Sequence, residues 1–201
     1  MSIDRSFYLL YNIFFQLRSF MKKIIAIASL LASTLAIADN VSMDVGRVTV
    51  PNSQSQHQTK LGVKHEFSDT LAGDVAIIQT QIDNTYTLGT RVEAGLITSK
   101  NFGNFAGYTR FAFGEKYSNT SSFSYYVVEP GVTTQVGPFA LKAGYRFRSP
   151  VSVAANTDQT HTARFGISYP LDKSNSVGLL YDRVRGDVTQ NIVAATYTHG
   201  F

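Results

Sequence analysis

The chain has 201 residues, no Cys, no Trp, 15 Gly and only 16% charged residues, with 18 Lys+Arg against 14 Asp+Glu. That length suits one domain or two, and the missing cysteine excludes a disulfide framework, a thiol nucleophile and any Cys-based zinc or iron–sulfur site. The charged fraction lies well below the roughly 25% of ordinary soluble domains, so a water-soluble default is already doubtful.

Most of the positive excess sits at the N-terminus. From Met21 the sequence shows a cationic start (Lys22, Lys23), an apolar run over 24–35 and a small-x-small site at Ala36-Ile37-Ala38. This is the pattern of a secretory signal peptide, and the apolar run is short for a membrane helix. The reading is therefore a signal peptide over 21–38, cleaved after Ala38, with 1–20 as an over-extended start ahead of an internal Met. Cleavage would leave 163 residues and remove Arg5, Arg18, Lys22, Lys23 and Asp4, so the net charge drops from +4 to +1. A nucleic-acid partner then has no support, and none is expected.

From residue 39 onward the hydrophobic period is two, with no sustained helical repeat. Strands are predicted over 41–50, 58–67, 74–82, 85–97, 104–114, 123–135, 138–148, 160–169, 175–185 and 188–201. In the clearest of them, Phe139, Leu141, Ala143, Tyr145 and Phe147 share one face, opposite Ala140, Lys142, Gly144, Arg146 and Arg148. Similarly, Leu61, Val63, His65 and Phe67 oppose Lys60, Gly62, Lys64 and Glu66, and Ala163, Phe165, Ile167 and Tyr169 oppose Thr162, Arg164, Gly166 and Ser168. Alternation alone also fits a soluble sandwich. Three features favour a membrane barrel instead. Aromatics stand near segment ends (Phe67, Tyr86, Phe105, Phe113, Phe139, Phe147, Tyr169, Tyr197), as interfacial girdles do. The polar faces mix small residues with Arg, Lys and Glu, which suits a confined interior. The segments also run about ten residues, the length a tilted strand needs to cross hydrocarbon.

Short connectors (68–73, 99–103, 135–138, 170–174) alternate with longer ones (51–57, 115–122, 149–158), which places both termini on the short-turn side. The weak points are the first strand, whose phase slips near Gly46, and Pro130, which is awkward in a central strand. The expected fold is all-β: one domain over 39–201, a closed antiparallel transmembrane up-and-down barrel of ten strands, with eight as the alternative. The charges expected to line its lumen are Lys60, Lys64, Glu66, Arg91, Glu93, Arg110, Glu129, Lys142, Arg146, Arg148, Arg164 and Asp182, eight cations against four anions.

The chain ends in Phe201, with Tyr197 and Val193 on the same face. This terminus resembles the assembly signal of small Gram-negative outer-membrane β-barrels of the porin-like type, and with the leader the resemblance covers the architecture of the whole mature chain. It implies export through the periplasm, residence in the outer membrane among lipid and lipopolysaccharide, and partners in periplasmic chaperones and the β-barrel assembly machinery. His199, on the otherwise apolar face, departs from that signature.

Three functions compete. The cationic excess favours a narrow porin-like channel for small, preferentially anionic solutes, because fixed positive charge in a low-dielectric wall raises the local anion concentration. The alternative is a structural or surface-interaction barrel whose lumen is plugged by paired side chains. Behind both stands a lipid-modifying outer-membrane enzyme, but no constellation of nucleophile and oriented base is in evidence. His161 beside Asp158, Thr160 and Thr162 is a thin lead, and Tyr117-Ser118-Asn119 has no His beside its Ser. No enzyme activity, cofactor or metal site is expected. Asp182, Arg183, Arg185 and Asp187 form a candidate loop rim for lipopolysaccharide phosphates.

Overall fold

The computed structural model describes residues 38–82, 88–118, 122–152 and 159–201; the predicted leader, apart from Ala38, lies outside them, as do Tyr86, Asn119 and Asp158. Ten strands follow one another: β1 (Asn40–Thr49), β2 (Gln56–Ser68), β3 (Leu71–Ile82), β4 (Leu88–Phe102), β5 (Phe105–Tyr117), β6 (Ser122–Val136), β7 (Phe139–Pro150), β8 (Thr160–Pro170), β9 (Asn175–Gly186) and β10 (Gln190–Gly200). Each pairs antiparallel with its chain neighbours, and β1 pairs with β10 to close the ring. Of the two strand counts left open by the sequence, ten is the observed one.

Closure follows from the alternation. A sheet with one apolar and one polar face can bury its polar face only by curling around it, and a closed ring leaves no edge of unpaired backbone groups. The outer surface accordingly carries exposed apolar side chains on every strand, among them Met43, Leu61, Leu96, Phe111, Phe113 (71% exposed), Phe165, Leu179 and Val193.

β2, β3 and β4 run further toward the short-turn end than predicted, and two-residue turns join β2 to β3, β4 to β5 and β6 to β7. Gly103 and Gly137 take positive φ (70° and 58°) in two of these turns, a conformation that side chains disfavour. In the turn after β8, the Asp172 carboxylate accepts hydrogen bonds from the Asn175 side chain and from the Ser174 and Asn175 amides. The Asn175 contact, followed by the backbone one, holds its pKa below the ordinary carboxylate value.

Both sequence anomalies have physical explanations. The phase of β1 does not slip: its pairing with β10 is unbroken from Asn40↔Gly200 to Thr49↔Asn191. What changes near Gly46 is the polarity of the two faces, with Arg47 outside and Val48 inside, packed on Val184 and Ile192. Gly46 itself faces β10 so closely that a Cβ would lie 2.7 Å from both the Ala194 Cβ and the Val193 carbonyl oxygen. Pro130 points outward, and the β6–β7 pairing is interrupted at Glu129 and Pro130, resuming at Gly131↔Gly144 in the same register. A missing N–H there costs one rung without displacing the strand.

Inside, the Tyr108 side chain lies across Gly131 and reaches Gly144, so a Cβ on Gly131 would collide with the ring. Gly131→Val is expected to destabilise the refolded barrel by about 1–3 kcal/mol in urea unfolding. Combining it with Tyr108→Ala should recover part of that loss, whereas strictly additive effects would contradict the contact.

Candidate functional site

The lumen wall is set by the parity of each strand. β4 turns Glu93 inward, β5 Tyr108 and Arg110, β6 Tyr125 and Glu129, β7 Lys142, Arg146 and Arg148, β8 Arg164, and β9 Asp182. These side chains come from different strands yet meet in the middle, because long Arg side chains reach across a ring of this size.

Two glutamates organise the site, each only 1% exposed. Glu93 receives the Tyr125 hydroxyl at 2.9 Å, Arg110 Nη1 at 3.1 Å and a short hydrogen bond from Arg146 Nη2. Glu129 receives Arg164 Nη1 on both oxygens at 3.1 and 3.2 Å and the Tyr108 hydroxyl at 3.3 Å, with Arg146 4.0 Å away. Each glutamate thus combines a tyrosine with arginines, and Arg146 touches both. The chain continues outward: Arg110 Nε and Nη2 hold Asp74 at 2.8–3.0 Å, and Arg164 holds Asp182 through two parallel bonds of 2.7 and 2.8 Å. The result is one ionic network from β3 to β9, with several links between non-adjacent strands.

Burying a lone carboxylate is prohibitively costly, whereas one satisfied by two or three charge-assisted bonds stays ionised. The geometry therefore makes a polar core in which both buried glutamates are satisfied, standing where a soluble protein would have an apolar one. Around it, Lys60 binds Asp44 at 3.2 Å between adjacent strands, and Lys64 binds Glu66 at 2.7 Å at the short-turn mouth, where Glu66 is exposed. Arg91 and Arg148 line a cavity of about 50 Å³ on the loop side, and the Arg148 guanidinium stands 5.3 Å from the Tyr125 ring centroid. A larger cavity of about 360 Å³ opens on the short-turn side, lined in part by Tyr108, Arg110 and Lys142.

Sequence reasoning missed Asp44, Asp74, Tyr108 and Tyr125. Parity could have found them. Asp44 shares the phase of Gly46, where the strand was read as slipping, and Asp74 sits at what was taken for a strand start, although β3 begins at Leu71. With both added, the twelve proposed lumen charges become eight cations against six anions.

The rim reading changes as well: Asp182 is buried against Arg164, while Arg183 and Arg185 face outward and Asp187 accepts the Gln159 amide at 2.8 Å. His161 lies on the outer face, its Nδ1 2.6 Å from the Tyr145 hydroxyl and its ring against Phe147, while Thr160 and Thr162 are buried on the lumen side. Period-two alternation therefore separates the members of that catalytic lead. No group of three metal-ligating side chains occurs among the described residues. Val193, Tyr197 and Phe201 share the exposed outer face beside the β1–β10 seam, and the Phe201 amide binds the Asp39 carbonyl at 2.9 Å.

No known protein-family profile matches the chain, and no curated protein does. The solved structures similar to it are outer-membrane β-barrel proteins. The KdgM porin shares 14% identity with a TM-score of 0.45, covering 80% of this chain and 99% of that one. Neisserial surface protein A shares 14% with a TM-score of 0.42, covering 81% and 95%. Outer membrane phospholipase A from Escherichia coli shares 10% with a TM-score of 0.43, covering 84% and 96%. Likeness at this level carries no information on activity.

Glu93→Gln leaves Arg110 and Arg146 facing a neutral partner in a closed interior. It is expected to cost about 3–5 kcal/mol in urea unfolding, against less than about 0.5 kcal/mol for Glu66→Gln at the exposed mouth. Equal effects of the two would show that the inner pairs are no tighter than the rim.

Proposed function

We propose that the protein is an outer-membrane barrel closed across its middle at rest, a stable envelope element that acts through its two ends rather than as an open pore. One observation carries this reading: Glu93 and Glu129, both 1% exposed, are clasped by arginines reaching from other strands, so charge pairs occupy the space a solute would cross. Residence in the outer membrane is supported by the signal-like leader and by the apolar outer surface, whose aromatic side chains stand near the strand ends.

A narrow anion channel is the second reading. It is favoured by a lumen that is polar along its length, but its selectivity argument rests on surplus cations, and Asp44 and Asp74 halve that surplus. A non-catalytic role is part of the proposal, supported by the separation of His161 from Thr160 and Thr162. Outward Arg183 and Arg185, beyond Tyr181 on the same face of β9, suit the phosphates of lipopolysaccharide at the loop end.

Planar-bilayer recording decides between the readings. The refolded full chain is expected to be electrically silent, and Glu93→Ala combined with Arg146→Ala is expected to produce conductance steps. Stable anion-favouring steps from the unmodified protein would replace the closed-lumen reading with the channel.

Assembly is tested separately. Phe201 is 79% exposed, so Phe201→Ala should leave the stability of the refolded barrel within about 0.5 kcal/mol. Its amount in the outer membrane of expressing cells should nevertheless fall several-fold, as expected if the terminal aromatic is read by the assembly machinery. An unchanged amount would remove Val193, Tyr197 and Phe201 from that role.

A further inference from the structure

Lys142 stands at the edge of the central network with donors to spare. Its ammonium lies 4.5 Å from the Tyr108 ring centroid and 3.7 Å from Glu129 Oε1, the latter too long for a hydrogen bond. The oxygens of Glu129 are already taken by Arg164 and the Tyr108 hydroxyl. The Lys142 side chain is 41% exposed and lines the short-turn cavity of about 360 Å³. The other cations of that cavity are committed, Arg110 to Asp74 and Glu93, and Lys64 to Glu66.

The rest of the wall defines what could sit against this ammonium. Ala72, Ile97 and Ala106 supply apolar surface, Ser99 and Thr133 supply hydroxyls, and two exposed carboxylates, Glu66 paired with Lys64 and Asp69 in the turn, stand on the wall away from the network. The volume falls in the range of about 300–1,000 Å³ usual for small-molecule sites, much more than a bare inorganic anion needs. One compact ammonium carrying three donors matches a single carboxylate better than a multiply charged group, which would call for planar arginine forks.

We propose that this chamber binds a small organic acid, whose carboxylate is held by Lys142 and whose body rests on the Ala72, Ile97 and Ala106 wall. The proposal rests on the closed-lumen reading only in making the chamber a dead end, and binding is read without any conductance measurement. A conducting barrel would therefore defeat that reading and leave this one standing.

The test titrates the full chain, refolded in detergent, with sodium benzoate and with benzamide, which has the same ring and no charge, by isothermal calorimetry. Benzoate is expected to bind saturably at one site, with benzamide weaker by about tenfold or more, the difference a charge-assisted contact makes. Lys142→Gln should weaken benzoate to the benzamide level, while Lys142→Arg, which keeps the charge, should stay within about threefold of the parent. Ala106→Leu should also weaken benzoate by filling the chamber while leaving Lys142 in place. No saturable uptake, equal affinity for benzoate and benzamide, or unchanged affinity in Lys142→Gln would each overturn the proposal. Should Lys142→Gln fail to fold, the benzoate–benzamide comparison on the parent and the Ala106→Leu variant decide it alone.

Discussion

Everything else in the molecule depends on keeping two carboxylates charged where water does not reach. Glu93 and Glu129 are buried as deeply as any core valine, yet each is met by arginine and tyrosine donors that cover both oxygens. In a low-dielectric interior that pairing is close to all-or-none: complete, it rigidifies the site, and with one partner missing it leaves a stranded ion. The ring of strands is what brings these partners from separate stretches of sequence to one point, and their mutual neutralisation is what lets a polar interior stay closed.

The outside is governed by the opposite rule. Apolar and aromatic side chains occupy the outward positions over most of each strand, then give way toward the loop end to Arg47, Arg183 and Arg185. At the same end of β1, β9 and β10 the inner face turns apolar, with Val48, Val184 and Ile192 packed together. The two faces thus exchange character along the strand. An exchange of this kind suits a protein that leaves a hydrocarbon layer and enters an aqueous or headgroup one, where outward charge is welcome and the interior can pack as an ordinary core.

That exchange also explains how far the sequence could be read. Strand existence, order and facing were legible because period-two alternation is a local property, visible in 139–148 without knowledge of any partner. The first strand was harder to read because Arg47 and Val48 reverse the usual assignment, and a pattern reader takes a reversal of polarity for a shift of phase. The inner charges were legible as a set but not as pairs. Which arginine meets which glutamate depends on register and reach across the ring, and Arg146 joining Glu93 to Glu129 has no signature in any single segment. Asp74 was lost by a boundary error of three residues, and Tyr108 and Tyr125 because only charged side chains were counted toward the lumen, although both hydroxyls serve the glutamates inside. The chamber at the short-turn mouth had no sequence signal at all, being the space left where the network stops.

The seam at which the ring closes lies outside the ionic network. β10 contributes no charged side chain to it, and β1 contributes only Asp44, which is satisfied by its neighbour on β2; the inner side of the seam is Gly46, Ala194 and Ile192. The β1–β10 ladder can therefore form last, or open first, without separating a single buried ion pair of the β3–β9 network. Cooperativity is unevenly spread around the circumference: one arc is locked by charge, and the opposite arc is held by backbone hydrogen bonds and small side chains. A growing sheet can thus complete its interior before its two ends meet, so the costly desolvation of charge and the topological act of closure are separate events in the life of the chain.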